Sequence, residues 1–240
     1  MNAQTQPNAQ KWPKKLPELT EEQRRVRDDF MEHWHTVLPN KYGAIEKFNH
    51  GWPASYAVRG KKTLEIGAGL GEHLEFEPDP APGTYVCNEL RAPMAEEIKR
   101  RYPNVDVVVG DCQEGLPFAD GTFDRVMAIH VLEHLPDLPA ALRELRRLVK
   151  DDGRLIAMIP CEGGLAYGLA RRISAQRVFE KRYKMRYDWC IASEHINVPS
   201  EIMEECDREF TLTKSTYFPL RVPITTVNLV IGLEYVPRPG

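Results

Sequence analysis

The chain has 240 residues, 42% of them hydrophobic and 28% charged, with a formal net charge of −3. That size suits one globular unit with a core of its own and leaves two full domains cramped. The acidic balance gives no global positive field for nucleic acid, and the five cysteines contain no C-x-x-C pair, so neither a disulfide framework nor a zinc site is indicated. With no signal-like segment and no apolar run of membrane-spanning length, a cytoplasmic protein is expected.

Residues 1–17 are polar and contain Pro7, Pro13 and Pro17, the composition of a flexible lead-in. Residues 18–240 then form the single domain, opening with a helical cap over 18–60. Thr20 and Gln23 have capping-box spacing, which predicts a helix to about Val37 whose buried face carries Val26, Phe30, Met31, Trp34 and Val37. From Lys62, short apolar runs alternate with helical patterns. Strands are expected at 63–66, 84–87, 105–109, 125–129 and 155–159, with helices near 92–101 and 139–149. Such alternation marks a parallel sheet covered by helices. After Ile159 comes an insertion, 161–198, and a helix starting at Pro199-Ser200. Strands at 210–218 and 226–235 follow, and the link between them is too short for a parallel crossover, so they must be antiparallel.

The stretch Leu64-Glu-Ile-Gly-Ala-Gly-Leu-Gly-Glu-His73 places three glycines directly behind the first strand. A glycine turn at the carboxyl edge of a sheet lets backbone N–H groups and a helix N-terminus approach a ligand, because no Cβ stands in the way. A tight turn without a ligand is the bland alternative. The glycines at 67, 69 and 71 fall one residue short of G-x-G-x-x-G, and Glu65 would repel a pyrophosphate. The same carboxylate would attract a ligand carrying ammonium and sulfonium groups.

These residues resemble the first motif of the class I S-adenosylmethionine-dependent methyltransferases, acidic-x-Gly-x-Gly-x-Gly. The likeness extends over residues 62–160. Glu89, at the end of the second strand, resembles the family's acidic residue that bonds both ribose hydroxyls; a solvated helix-cap carboxylate is the other reading. Gly110-Asp111-Cys112-Gln113 is similar to the family's adenine-binding turn, although Asp111 could instead cap a turn. The run Phe123 to Leu135 looks like its fourth motif. Asp151-Asp152-Gly153 stands where Pro-Gly-Gly is common, a departure that changes a turn rather than chemistry.

The resemblance implies a Rossmann-like α/β fold: a seven-stranded, mostly parallel sheet with an antiparallel final pair and helices on both faces. It implies S-adenosyl-L-methionine as cofactor, with S-adenosyl-L-homocysteine as product. The residues it points to as cofactor-binding are Glu65, Gly67, Ala68, Gly69, Gly71, Glu89, Leu90, Asp111, Cys112, Gln113 and His130. The reaction it implies is methyl transfer to a small molecule, first of all O-methylation of an anionic, glycan or secondary-metabolite acceptor. C-methylation of a quinone-like acceptor, a nicotinamide oxidoreductase and a non-catalytic cofactor-binding protein are the alternatives.

His130, His134 and Glu133 also satisfy the H-x-x-E-H pattern of inverted zinc peptidases. A strand runs straight into His130 and Pro136 follows closely, so no sustained helix can present both histidines to zinc, and no metal is expected. Glu133 and His134 are read as packing and hydrogen-bonding residues under the sheet edge. The fourth motif lacks the Asn/Asp-Pro-Pro-aromatic signature of DNA amino-methyltransferases, which argues against nucleic-acid bases as acceptors.

The insertion carries seven basic residues and one acid between 171 and 186, a local charge of +6. An anionic acceptor or anionic lipid headgroups would suit that charge, and a solvated helix paired with acids elsewhere would equally explain it. An acceptor hydroxyl needs a base. His130 lies at a strand end, and His195, with Glu194 beside it to orient the imidazole, lies in the insertion; these three are the catalytic candidates. Residues 42–52, with Phe48, Asn49 and His50, are expected to close the cofactor pocket.

Overall fold

The computed structural model describes residues 11–41 and 43–239; the side chains of residue 32 and residues 34–41 are not described. The expected contributions of Trp34, Val37 and Tyr42 lie outside that set. The elements are α1 (Glu21–Lys41), α2 (Gly43–Ala54), β1 (Thr63–Ile66), β2 (Tyr85–Glu89), α3 (Ala92–Arg101), β3 (Asp106–Val109), β4 (Phe123–Ile129), α4 (Leu138–Leu148), β5 (Val149–Pro160), α5 (Leu165–Arg171), α6 (Arg177–Tyr183), α7 (Asp188–Glu194), α8 (Pro199–Glu209), β6 (Phe210–Phe218) and β7 (Val230–Pro237).

The strands form one sheet in the order β3-β2-β1-β4-β5-β7-β6. β1 to β5 are parallel, and β7 runs antiparallel to both β5 and β6. Successive side chains of a strand face opposite sides. Val126, Ala128, Leu155, Ala157 and Ile159 therefore pack with Leu142 and Leu145 of α4 and Ile202 of α8. Met127 and Ile156 instead join Ile98 of α3 and Trp52 and Tyr56 near α2 on the other face. Each large side chain buried in this way contributes about 1.5–3 kcal/mol. Both faces are covered, which is why the central strands read as continuous apolar runs.

The connection from β1 runs outward to β2 and β3, whereas β4 lies on the other side of β1. The crevice between β1 and β4 is thus the topological switch point, where open α/β sheets bind ligands.

The capping box forms as its spacing predicts: Gln23 N–H donates to Thr20 Oγ1 at 3.2 Å and Thr20 N–H to Gln23 Oε1 at 2.9 Å. The described side chains of the helix it opens do not join the sheet core. Val26 and Phe30 pack with Ala175, Phe179, Tyr187 and Cys190, a separate small core shared by α1 and the insertion. Phe30 and Phe179 meet edge to face at 5.0 Å. A π-helical turn, Arg172–Gln176, joins α5 to α6 in one helical run.

The lead-in needs correction at its described end. Trp12 Nε1 donates to Glu205 at 3.2 Å, Lys14 Nζ to Glu201 at 2.6 Å, and Lys14 N–H to the Pro136 carbonyl at 2.8 Å, so residues 12–14 are tied to the body. The indole supplies apolar area and the lysine pairs with an acid, anchors that composition alone does not reveal.

Candidate active site

The glycine loop leaves β1 with Gly67, Gly69 and Gly71 at φ of 64°, 60° and 80°, a region L side chains rarely adopt. A Cβ on Gly67 would stand 2.5 Å from Val131 Cγ2. The loop from β1 and the turn from β4 are therefore in direct contact across the switch point. The expected helix after the loop is only a 3₁₀ turn, Glu72–Glu75, since Pro78, Pro80 and Pro82 end helical structure soon after. So short a turn has little dipole to offer a pyrophosphate, whereas a cationic ligand does not need one.

The carboxylates expected to meet the donor sit at successive strand ends. Glu65 is buried and accepts from Tyr85 Oη at 2.7 Å; burial pushes its pKa up to about 8. Glu89, also buried, accepts from Gly69 N–H at 3.0 Å and from Arg91 N–H at 2.9 Å, which joins the second strand end to the glycine loop. Asp111 caps its own turn, accepting from Gln113 N–H at 2.8 Å and Gln113 Nε2 at 3.0 Å. Gln113 Oε1 in turn accepts from Asp137 N–H at 2.7 Å. Ala68 is buried, and Cys112 turns its side chain into the core beside Leu116, which leaves its backbone for any ligand. Leu90 is exposed just beyond β2. Chemically this set fits S-adenosylmethionine: its ammonium, ribose hydroxyls and adenine amine are all donors, and the loop presents acceptors.

α2 was legible only as part of a helical cap. Phe48 stacks on Phe218 at 5.0 Å, whereas buried His50 stacks on Phe76 at 5.2 Å and lies 5.5 Å from His73. α2 thus braces the turn behind the glycine loop. His73 pairs with Glu77 at 2.7 Å, and Glu77 with Arg125 at 2.7 Å. Arg125 continues to the Pro53 carbonyl at 3.1 Å, so a buried polar chain fixes the underside of the loop.

Across the switch point lies a second cluster. His130, at the end of β4, has φ of 53°, a strained conformation of the kind that concentrates at functional sites. Its Nδ1 is 3.3 Å from Glu133 Oε1. The expected pairing of Glu194 with His195 is not formed. His195 Nδ1 is instead 3.0 Å from Glu162 Oε2, and Glu194 holds His134 Nδ1 at 3.4 Å and Arg27 at 3.5 Å. Adjacent residues at a helix end point about 100° apart, so sequence neighbours rarely share a partner. Arg171 also pairs with Glu162. The rings of His134 and His195 meet edge to face at 5.0 Å.

Burial would raise the carboxyls of Glu133, Glu162 and Glu194, but their imidazole and guanidinium neighbours hold all three below the ordinary value. His134 moves the other way: burial disfavours its charge, yet Glu194 and Glu133 raise it overall. Glu162 is the functional candidate that sequence reasoning missed. Its signal was position, two residues beyond the carboxyl end of β5.

The basic segment is partly neutralised by pairs: Arg171 with Glu162, Arg182 with Asp29 at 3.1 Å, and Arg186 with Asp188. Arg172, Arg177, Lys181 and Lys184 are exposed beside Leu165, Leu169 and Ile173, which are 78%, 61% and 67% exposed. Among the described residues no helix is long and apolar enough to cross a membrane.

Comparison with known proteins agrees with this layout. Residues 64–157 match the methyltransferase domain family. The demethylmenaquinone methyltransferase of Renibacterium salmoninarum is 35% identical over 100 residues, covering 42% of this chain and 41% of that one. Tocopherol O-methyltransferase from Arabidopsis thaliana chloroplasts is 33% identical over 152 residues, covering 58% and 42%. The chain thus spans about two fifths of the length of these curated relatives. A TehB-like SAM-dependent methyltransferase from Corynebacterium glutamicum superposes with a TM-score of 0.59 at 16% identity, covering 90% of this chain and 100% of that one. Residues 64–157 thus match the methyltransferase domain family, and the seven-stranded sheet around them has the fold of solved S-adenosylmethionine-dependent methyltransferases.

Proposed function

We infer that the chain is an S-adenosylmethionine-dependent methyltransferase acting at an oxygen atom of a small molecule. One observation carries this reading: a carboxylate-edged glycine loop touches, through Gly67 and Val131, the strand end that bears the imidazole cluster. When bound, the donor supplies a methyl group activated on a sulfonium.

On the donor side, Gly67, Ala68, Gly69 and Gly71 let the backbone follow the ligand closely. Glu65 favours its cationic amino-acid end. Glu89 has two acceptor oxygens for two ribose hydroxyls, exchanging its bond to Gly69 for them, and Asp111, Cys112 and Gln113 take the adenine. On the acceptor side, His195 Nδ1–H is held by Glu162, so Nε2 carries the lone pair that can take a hydroxyl proton. His130 lies between the two clusters and contacts donor or acceptor. The helices of the insertion close over the edge and exclude water, and alignment then does most of the work of an in-line transfer.

The exposed cations of 171–186 suit an anionic acceptor, or one presented at an anionic lipid surface. The names of the relatives, one for a tocopherol O-methyl transfer and one for demethylmenaquinone, support a ring-bearing acceptor; the second also keeps C-methylation as the other reading.

Calorimetry with S-adenosylhomocysteine, followed by labelling of cell extract with a methyl-tritiated donor, tests the assignment. Micromolar binding and a labelled small molecule whose methyl group resides on oxygen are expected. Tighter binding of NAD would overturn the cofactor assignment, binding without labelling would indicate a non-catalytic protein, and label on carbon would replace the oxygen reading.

A further inference from the structure

The cluster beside His130 holds more than a base. Glu133, His134 and His195 each bring one potential ligand atom within 4.8 Å of the other two. Donors around a first-row divalent cation stand roughly 3–4 Å apart, so small side-chain rotations would close the set. Two imidazoles and one carboxylate form a facial donor set that leaves coordination positions open.

Three features point to a ligand here rather than to an ion-pair network complete in itself. Glu133 is 1% exposed, and its Oε2 meets no hydrogen-bond partner among the described residues. A buried carboxylate oxygen in that condition is rare and costly. The Nδ1 atoms of His134, His195 and His130 are directed to Glu194, Glu162 and Glu133 Oε1, and His134 Nε2 stands 4.0 Å from Oε1, which leaves Oε2 without a partner among the described residues. Carboxylates on the Nδ1 atoms of His134 and His195 leave Nε2 as the nitrogen available to a cation, whose binding would displace any proton there, an arrangement typical of metal-binding histidines. Finally, Glu133, Glu162 and Glu194 have two guanidiniums near them, of which Arg27 is shared with Asp28 at 2.8 Å, so a cation would add to the positive charge the imidazoles supply.

The geometry assigns a divalent transition-metal site to Glu133, His134 and His195, with Glu162 and Glu194 orienting the imidazoles. The H-x-x-E-H spacing misleads here: a metal held through His130 and His134 would need one sustained helix, whereas the third ligand comes from residue 195, beyond the end of α7. Nitrogen-rich donors favour Zn²⁺, Co²⁺, Fe²⁺ or Mn²⁺ over Mg²⁺ and Ca²⁺. The existence of the site is independent of the methyl-transfer reading, but its role rests on it: a cation at this edge would hold the acceptor hydroxyl and lower its pKa, so that its proton could pass to water and His195 would serve as ligand rather than base.

The test uses the full chain without an affinity tag, stripped by dialysis against a chelator and titrated with Co²⁺. Saturable binding of one Co²⁺ per chain, with visible ligand-field absorption, is expected, and Zn²⁺ should displace it. His195→Ala and His134→Ala should each weaken binding at least tenfold, and Glu162→Gln should weaken it less. S-adenosylhomocysteine affinity, measured on the same samples, reports whether each variant is folded and whether the donor reading holds. Metal binding without S-adenosylhomocysteine binding would support the site while ending the methyltransferase assignment. If the wild-type chain binds S-adenosylhomocysteine but neither Co²⁺, Zn²⁺ nor Mn²⁺, or if Co²⁺ binding survives both histidine substitutions, the metal site is overturned.

Discussion

The ends of β1 to β3 and the edge beyond β4 and β5 both gather buried or partly buried acids, but they balance them differently. Around the glycine loop, Glu65 and Glu89 accept from a phenol and from backbone N–H groups, with Arg91 3.3 Å from Glu89 as the charged neighbour. Beyond β4 and β5, Glu133, Glu162 and Glu194 each have an imidazole against them, and two also have a guanidinium. The first region retains acceptor capacity for a ligand rich in donors. In the second, fixed partners set tautomers and hold the acids ionised, which suits moving a proton or holding a cation. A methyl transfer needs both kinds of environment side by side.

Substitutions can separate the two regions. The largest effect is expected at His195, where removal of a general base, or of a ligand to the cation proposed above, lowers turnover by about a hundredfold. His195→Ala should leave the donor dissociation constant unchanged, and a radiometric assay with calorimetry reads both. Wild-type turnover in this variant would remove the imidazole from the chemistry.

Glu65 gives a pH signature next in size. Its carboxyl titrates near 8 when folded, against about 4.5 ordinarily, so between those values the folded chain retains a proton that the unfolded chain has lost. Stability should therefore fall as pH rises from about 4.5 to about 8 and level off above it. Glu65→Gln should remove at least about 2 kcal/mol of that slope, and denaturant titrations at pH 5 and pH 8 compare the two proteins. Pairing of Glu65 with the donor's ammonium would also expel the proton, making the heat of S-adenosylhomocysteine binding depend on the buffer.

Glu89→Ala should weaken S-adenosylhomocysteine binding about tenfold or more, at least roughly 1.4 kcal/mol. It should leave Co²⁺ binding untouched, which sharpens the division between the regions. The smallest effect belongs to the outer rim of the cap. Arg182 is half-exposed and paired with exposed Asp29, so Arg182→Ala should cost less than roughly 1 kcal/mol in a thermal melt.

Much of the framework was legible from local pattern. The bounds of α3 and β6 agree with those expected, because amphipathic spacing and β-branched runs persist whatever surrounds them. β2 extends two residues beyond the expected strand, which places Glu89 inside the last pairing with β3 instead of after it. α2 was harder to see as a distinct helix, since Gly51 and Pro53 weaken its pattern and its stability comes from packing on the sheet and the loop. The Glu194 pairing misled for a related reason: closeness along the chain is a poor guide to which side chains face each other.

Sequence by itself determined the glycine turn, the acids at the strand ends and the alternation that folds into a parallel sheet, all of which depend on backbone conformation and spacing within a few residues. Only the tertiary structure decided that Glu162 meets His195 and that residues 133, 134 and 195 converge. Those contacts join segments up to 62 residues apart, brought together where Ile196 and Asn197, just beyond α7, donate their N–H groups to the Glu133 carbonyl. Side-chain direction at that distance is fixed by packing, which no local pattern encodes.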